Sequence, residues 1–323
     1  MNRRPRRNRK NAAIRSMIEE TALGVNHLIY PMFVVDGSGV KDEISSLPNQ
    51  YRMSEDHLLS EFESALKLGI DKFVLFPAVS DDLKDAVGSY SYAEDNFYLR
   101  LIRAIKDRFP NAQLMSDVAL DPYSSDGHDG VVIDGRIDND QTLPILAKMS
   151  VSQAQAGIDI IGPSDMMDGR VAEIRMALDE AGYTDTSIMS YTAKYASAFY
   201  GPFRDALDSA PKLGDKKTYQ MNPANKREAL LEADLDVAEG ADMLMVKPAT
   251  CYLDIIHLFK ESYDLPITAY NVSGEYAMIH AAARKGWMDY DSAMSEMLLS
   301  IKRAGADGIL TYFAKDFANL IKN

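Results

Sequence analysis

Two lysines, Lys194 and Lys247, each end a short apolar run that predicts a buried β-strand. The runs are Ser187-Ile-Met-Ser-Tyr-Thr-Ala before Lys194 and Asp242-Met-Leu-Met-Val before Lys247. Burial disfavours the ammonium form, so the pKa of such an amine falls and it becomes a nucleophile near neutral pH. That chemistry suits Schiff-base formation with a carbonyl compound. A single lysine at a strand end commonly extends its head into solvent, but a second one of the same kind indicates a reactive pair.

The two lysine-ending runs are consecutive among the predicted strands, so we expect them to be neighbours in a parallel sheet. Their amines would then lie close together, and each would lower the pKa of the other by like-charge repulsion.

Eight β-prone runs alternate with helical patterns along the chain, at residues 28–35, 72–77, 112–118, 158–163, 187–194, 242–247, 266–272 and 308–313. A Gly-Ile-Asp or Gly-Ala-Asp turn, in which glycine supplies the left-handed end of a helix, precedes four of them. These turns begin at Gly69, Gly157, Gly240 and Gly305. The alternation predicts an α/β fold, a (β/α)8 TIM barrel over residues 28–323 with an N-terminal arm over residues 1–27. The alternative, an open doubly wound sheet, lacks a Gly-x-Gly-x-x-Gly motif after the first strand.

A barrel carries its active site at the C-terminal ends of its strands. There the predicted strands deliver a polar set: Asp117, Ser164, Asp165, Lys194, Lys247, Ser273 and Tyr312. Loops are polar in general, so the informative feature is the combination of this set with two lysines. Residues 197–222 form too long a connection for an ordinary loop, which predicts a lid over the site.

Composition limits the class of protein. Cys251 is the one cysteine among 323 residues, which excludes an intrachain disulfide framework and is typical of a reducing cytoplasm. No apolar run approaches the about 20 residues of a membrane-spanning helix, so we expect no membrane partner. A net charge of −13 opposes binding of nucleic acid by the body of the protein.

The arm has the opposite charge, with Arg3, Arg4, Arg6, Arg7, Arg9 and Lys10 within its first ten residues. Such an arm can bind RNA or an import receptor, lie on an acidic neighbouring subunit, or be a solvated tail. Because the rest of the chain is acidic, we favour the neighbouring subunit.

Six ordered motifs resemble the porphobilinogen synthase family, also called 5-aminolevulinate dehydratases. They are Met-Ser-Tyr-Thr-Ala-Lys194-Tyr-Ala-Ser, Phe-Tyr-Gly-Pro-Phe-Arg204-Asp-Ala, Tyr-Gln220-Met-Asn-Pro, Met-Val-Lys247-Pro-Ala, Val-Ser273-Gly-Glu-Tyr and Leu-Thr-Tyr312-Phe-Ala. The resemblance runs from the arm to the last strand. It implies a lyase of haem and tetrapyrrole biosynthesis, which condenses two 5-aminolevulinate molecules asymmetrically to porphobilinogen with loss of two waters and uses no organic cofactor.

The resemblance also implies roles for the site residues. Lys247 forms the Schiff base with the first substrate, and Lys194 serves the second, as a second imine or as a proton donor. Ser273 and Tyr312 bind the carboxylate of one substrate. Three residues of the predicted lid bind the other carboxylate: Arg204, Lys216 and Gln220. Some relatives have arginine in place of Lys216.

The metal requirement differs among members of this family. Zinc-dependent members carry three cysteines after the third strand, whereas this chain has aspartates there, so we expect no zinc and an aspartate-rich, zinc-independent type. Asp121 and Asp129 could bind Mg²⁺ or K⁺ through oxygen, or could be ordinary loop carboxylates. Asp117 could position a substrate amino group. Glu232 resembles the family's allosteric Mg²⁺ ligand, whose other ligands are mostly water.

Two other functions stay open at this point. A class I aldolase would use the same fold and a single Schiff-base lysine, and a nucleic-acid binder would act through the basic arm. The family resemblance instead suggests a homo-octamer held partly by its arms, with 5-aminolevulinate as the small-molecule partner, in the cytoplasm.

Overall fold

The computed structural model describes residues 2–207, 212 and 214–322. Its strands, in chain order, are β1 (Leu28–Val34), β2 (Lys41–Glu43), β3 (Tyr51–Met53), β4 (Lys72–Pro77), β5 (Gln113–Met115), β6 (Val131–Ile133), β7 (Arg136–Asp138), β8 (Ile160–Ile161), β9 (Ser187–Lys194), β10 (Met243–Lys247), β11 (Ile267–Asn271) and β12 (Gly308–Thr311). Its α-helices are α1 (Ala12–Met17), α2 (Glu55–Lys67), α3 (Phe97–Arg108), α4 (Asn139–Ala156), α5 (Arg170–Glu180), α6 (Gly201–Leu207), α7 (Arg227–Glu239), α8 (Leu253–Ser262), α9 (Ser273–Arg284), α10 (Tyr290–Ala304) and α11 (Ala314–Lys322).

Eight parallel strands close into a barrel in the order β1-β4-β5-β8-β9-β10-β11-β12, and β12 pairs back to β1. Each contains or falls within one of the eight predicted runs, so the TIM-barrel prediction is confirmed. The barrel strands are almost entirely buried because helices cover their outer face and side chains fill the interior. Such strands therefore read as continuous apolar runs in the sequence.

The four predicted glycine turns have the expected backbone conformation. Gly69, Gly157, Gly240 and Gly305 have positive φ values of 87°, 109°, 101° and 125°. Each ends a helix immediately before a barrel strand, so the repeated sequence pattern marks a repeated structural turn.

Several elements lie outside the predicted pattern. The strands β2 and β3 pair antiparallel beside β1, and β6 and β7 form a hairpin in the loop after β5. The single helical pattern expected between the last two barrel strands is two helices, α9 and α10, which are separated around Gly286 with its φ of 71°. The predicted lid contains the helix α6, while residues 208–211 and 213 lie outside the described residues.

The N-terminal arm projects from the barrel. It contains a 3-10 helix over Pro5–Arg9 and the helix α1, neither of which has a buried residue. Residues 2–20 are exposed apart from the half-buried Ile14. Among the described residues, no helix has both the length and the hydropathy that crossing a membrane requires.

Candidate active site

The two lysines lie side by side at the C-terminal ends of neighbouring strands. Lys247 of β10 is the direct partner of Lys194 of β9, and their residues are only 5% and 6% exposed. This pairing depends on an irregularity, because Leu244 is opposite Ser190 whereas Val246 is opposite Ala193. The extra residue in β9 shifts the register by one. Without it, Lys247 would be opposite Ala193 and the two lysine side chains would point to different faces.

Lys247 occupies an aromatic environment. Its Nζ lies 4.7–5.3 Å from the ring centres of Tyr270, Phe203, Tyr191 and Tyr200. It forms no ion pair with any described residue. Burial, followed by repulsion from Lys194, lowers the pKa of Lys247 to about 7, although nearby carboxylates oppose the shift. Lys247 is therefore partly neutral, and nucleophilic, near neutral pH.

Lys194 has different surroundings although it lies on the adjacent strand. Its Nζ is 3.2 Å from Asp129 Oδ2 and also donates to the carbonyl oxygen of Ser164. An anion and a dipole thus contact one amine, and aromatic faces surround the other. The two lysines therefore have different electrostatic environments, and enzymes commonly use such a difference to give two like groups different roles.

The loop after β5 supplies carboxylates that bind lysines. Lys216 Nζ lies 2.7 Å from Asp129 Oδ1 and 3.1 Å from Asp121 Oδ2. Although burial raises carboxylate pKa values, Lys194 and Lys216 lower that of Asp129 to about 2. Burial opposes the charge of Lys216, yet Asp121 and Asp129 raise its pKa above the ordinary value. Two ammonium groups therefore balance the charge of these aspartates.

Asp117 is buried and lies close enough to both lysines and to Asp121 to interact with their charges. Burial and then repulsion from Asp121 raise its pKa to about 6, against the attraction of Lys247 and Lys194. The pKa of this carboxyl group lies near the working range of an acid–base catalyst.

The two residues implied as one carboxylate site already have protein partners. Ser273 Oγ accepts a hydrogen bond from the Phe203 backbone N–H at 3.0 Å, and Tyr312 contacts the hydroxyl of Tyr270 at 2.8 Å. Phe203 belongs to α6 in the predicted lid. This helix of the predicted lid therefore lies against the site, with the Phe203 backbone N–H on Ser273 and the Phe203 ring near Lys247.

Arg204 and Gln220 belong to the same predicted lid: Arg204 follows Phe203 on α6, and Met221, the residue after Gln220, donates its backbone N–H to the carbonyl oxygen of Lys194 at 3.0 Å. Arg204 is half-buried on α6 and forms no ion pair with a described residue. Gln220 is 5% exposed, and its Oε1 atom is buried without a hydrogen-bond partner among the described residues. Both side chains therefore retain hydrogen-bonding capacity, and Gln220 has a buried acceptor to satisfy.

Residues outside the predicted set hold the backbone around Lys247. The Tyr200 hydroxyl donates to the carbonyl oxygen of Lys247 at 3.1 Å. The buried Glu275 accepts hydrogen bonds from the backbone N–H groups of Thr250 and Val272, at 2.7 and 3.0 Å. Glu275 thereby joins the turn after β10 to the start of α9. The sequence offered one signal for the role of Glu275, because this glutamate follows Ser273-Gly and so lies near the end of a predicted strand.

Glu232 lies on α7, away from the strand ends, in a groove of about 960 Å³ that also reaches Gln220. Burial raises the pKa of Glu232 to about 7; Arg170 opposes this shift, and Asp236, Asp168 and Glu228 add to it. Among the described residues, no group of three or more His, Cys, Asp or Glu side chains is arranged to hold a metal ion. A cation at Glu232 would have to take most of its ligands from water.

Comparisons with known proteins agree with this geometry. The family model described as "Delta-aminolevulinic acid dehydratase" matches residues 2–320. A chloroplastic delta-aminolevulinic acid dehydratase of Physcomitrium patens is 57% identical over 96% of this chain and 72% of its own length. The corresponding protein of Halalkalibacterium halodurans is 54% identical over 98% of this chain and 95% of its own length.

A solved structure is similar throughout the chain. The delta-aminolevulinic acid dehydratase of Toxoplasma gondii, in complex with the reaction product porphobilinogen, aligns with a TM-score of 0.97 and 52% identity. The alignment covers 99% of this chain and 92% of that one.

Proposed function

Because this chain belongs to the delta-aminolevulinic acid dehydratase family, it is a porphobilinogen-forming lyase, and we propose that its two lysines divide the chemistry unequally. The reaction joins two molecules of 5-aminolevulinate with loss of two waters. The observation that supports this division best is the pairing of Lys247, among aromatic rings, with Lys194, on a carboxylate. A class I aldolase would require only one of these amines.

Lys247 is the imine-forming nucleophile for the first substrate in this proposal. Its lowered pKa supplies the neutral amine that attacks the ketone carbonyl. The resulting imine makes the carbon more electrophilic and the adjacent C–H more acidic. Asp117, whose pKa is raised to about 6, lies close enough to influence Lys247 and is suited to transfer a proton.

Lys194 acts on the second substrate, and its contacts with Asp129 and Ser164 favour the proton-donor role over a second imine. The experiment is incubation with 5-aminolevulinate and a colorimetric pyrrole test, followed by borohydride trapping and peptide mapping. Product formation with label at Lys247 is expected. Absence of the pyrrole would refute the function, and label at neither lysine would refute the mechanism.

Two groups of residues bind the substrate carboxylates in this proposal. Ser273 and Tyr312 serve the first substrate, and the second is served by the lid residues Arg204, Lys216 and Gln220. The guanidinium of Arg204, which forms no ion pair with a described residue, supports the assignment, since an arginine fork suits a carboxylate. The variant Arg204→Lys should raise KM for 5-aminolevulinate more than it lowers kcat; a change confined to kcat would contradict the assignment.

We further propose that Glu232 is the protein ligand of an allosteric Mg²⁺ and that the enzyme is of the zinc-independent, aspartate-rich type. The half-buried carboxylate of Glu232, with Asp168 and Glu228 nearby, has a raised pKa, so a divalent cation there would relieve the repulsion. Activation by Mg²⁺ should be lost in Glu232→Gln and retained in Glu173→Gln, a control on the neighbouring helix α5. Full activity after zinc-selective chelation is expected, and loss of activity would contradict zinc independence.

The assembly and location are proposals of the same kind. The exposed basic arm and the acidic body support a homo-octamer in which arms lie on neighbouring subunits, with no nucleic-acid or membrane partner. Deletion of residues 2–10 should reduce the oligomer size in sedimentation; salt-dependent retention on RNA would favour nucleic-acid binding instead. A single cysteine supports a cytoplasmic location, which cell fractionation tests.

A further inference from the structure

Four buried charges form a continuous chain of ion pairs that ends at Lys194. Asp121 contacts Lys216 at 3.1 Å, Lys216 contacts Asp129 at 2.7 Å, and Asp129 contacts Lys194 at 3.2 Å. All four residues are at most 7% exposed. Two carboxylates and two ammonium groups give no net charge, so removing one member leaves a buried charge uncompensated.

The ammonium group of Lys216 has two possible sets of partners, the aspartates in this structure and the substrate carboxylate in the proposed function. In this structure two of its three donors are directed at Asp121 and Asp129. In the proposed function the same group binds the carboxylate of the second substrate. If Lys216 moves to that carboxylate, Asp121 loses its only ion-pair partner among the described residues.

The substrate itself carries a group that can restore the balance. 5-Aminolevulinate is a zwitterion with an ammonium group at one end and a carboxylate at the other. We propose that the second substrate exchanges ion pairs with the protein: its ammonium replaces Lys216 at Asp121 and Asp129 while its carboxylate takes Lys216. This inference rests on the proposed role of Lys216 as a carboxylate ligand.

The exchange makes Asp121 and Lys216 determinants of specificity for a zwitterion. A ligand with only the carboxylate can reach Lys216 only by leaving the aspartates unpaired. A ligand with only the ammonium would displace Lys216 without giving it a partner. The ion pairs that break are therefore replaced by new carboxylate–ammonium pairs only when the ligand carries both an ammonium group and a carboxylate.

The exchange can be measured at the second position alone. Lys247 is first blocked by 4-oxopentanoate, which is the substrate without its amino group, and the imine is reduced with borohydride. Equilibrium dialysis then gives dissociation constants for 5-aminolevulinate and for a second 4-oxopentanoate. If the adduct does not map to Lys247, the proposed role of Lys247 is wrong, and the exchange is then tested on the unreduced enzyme from the KM for 5-aminolevulinate and the inhibition constant of 4-oxopentanoate.

The variant Asp121→Asn distinguishes the exchange from the alternative in which Asp121 simply binds the substrate ammonium and Lys216 does not move. Exchange predicts that 4-oxopentanoate binds about tenfold tighter, because Lys216 is released more easily, while 5-aminolevulinate stays within about threefold of the wild type. A fixed ammonium anchor predicts the reverse, with 5-aminolevulinate about tenfold weaker and 4-oxopentanoate unchanged. That result, or weakening of both ligands, would overturn the proposal.

A second variant and a control complete the test. In Lys216→Met the exchange predicts little change in the dissociation constant of 5-aminolevulinate. The ligand's carboxylate loses its ion pair with Lys216, but its ammonium no longer has to break the pairs of Lys216 with Asp121 and Asp129. Weakening of 5-aminolevulinate binding by about tenfold or more would count against the exchange. Asp126→Asn removes a half-buried carboxylate from the same loop but outside the charge chain. It should leave both constants unchanged, and tighter 4-oxopentanoate binding there would mean that net charge alone explains the effect.

Discussion

Removing the charge of Lys194 should raise the pKa of Lys247 and shift the pH dependence of imine formation. The two Nζ atoms lie 6.0 and 5.0 Å from the centre of the Tyr191 ring, so they are at most about 11 Å apart. At an effective dielectric constant of about 20, their repulsion is then at least about 1.5 kcal/mol, or about one pKa unit. Loss of Lys194 also leaves the negative charge of Asp129 less compensated, which raises the pKa of Lys247 further.

The starting point of this prediction is the lowered pKa of Lys247, about 7. About half of such an amine is neutral at pH 7, against about 0.03% of an ordinary lysine. Because only the neutral amine forms an imine, the rate of trapping should fall as the pH drops through 7. In Lys194→Met the midpoint should move up by at least about one unit.

The assay is the initial rate of cyanoborohydride trapping of 4-oxopentanoate, mapped to Lys247 by mass spectrometry and measured from pH 5.5 to 9.5. Lys194→Arg is the matched control, since it keeps the positive charge and should keep the midpoint near that of the wild type. An unmoved midpoint in Lys194→Met would mean that burial alone sets the pKa. A wild-type midpoint near 10 would refute the reasoning entirely.

Two further predictions concern the lid and the pH dependence of stability. A Cβ atom at Gly274 would lie 2.5 Å from the carbonyl oxygen of Phe199, so Gly274→Ala should displace the lid and lower kcat/KM at least about tenfold. At Gly201 an added Cβ atom meets no atom within 4 Å, so the control Gly201→Ala should leave kcat/KM unchanged. Equal kcat/KM values for the two variants would contradict this prediction. Burial raises the pKa of Asp165 to about 7, so Asp165 binds more protons in the folded state than in the unfolded chain between about pH 4 and 7. Its contribution to the free energy of unfolding therefore falls by about 4 kcal/mol as the pH rises through that window, and Glu232 and Asp117 act in the same direction. Asp165→Asn should flatten this dependence in denaturant titrations, and an unchanged slope would exclude Asp165 as its source.

The barrel could be predicted from the sequence because its signals are local. A strand buried on both faces reads as a short apolar run, and the left-handed end of a helix favours glycine, so β9, β10 and Gly240 are visible without a partner. The two lysines were found for the same reason, since each is the polar end of such a run. The hairpin of β6 and β7 was missed because three-residue, partly buried strands carry little apolar pattern.

Contacts between distant segments were beyond the sequence pattern. Lys216 and Asp121 are separated by 95 residues, and nothing in either neighbourhood indicates that they meet. The same holds for the aromatic group around Lys247, in which Phe203 comes from the lid and Tyr270 from β11. Periodicity identifies the buried face of an element, but the closing of the barrel decides which buried faces meet.

The sequence by itself determined that two lysines would stand at strand ends of a barrel, because strand propensity and burial act over a few neighbouring residues. The tertiary structure decided that these lysines share a face and differ in state. One extra residue in β9 sets the register that pairs Lys194 with Lys247. The carboxylate of Asp129 and the aromatic rings then give the two amines unequal surroundings, because electrostatic interactions depend on distances that only the folded chain fixes.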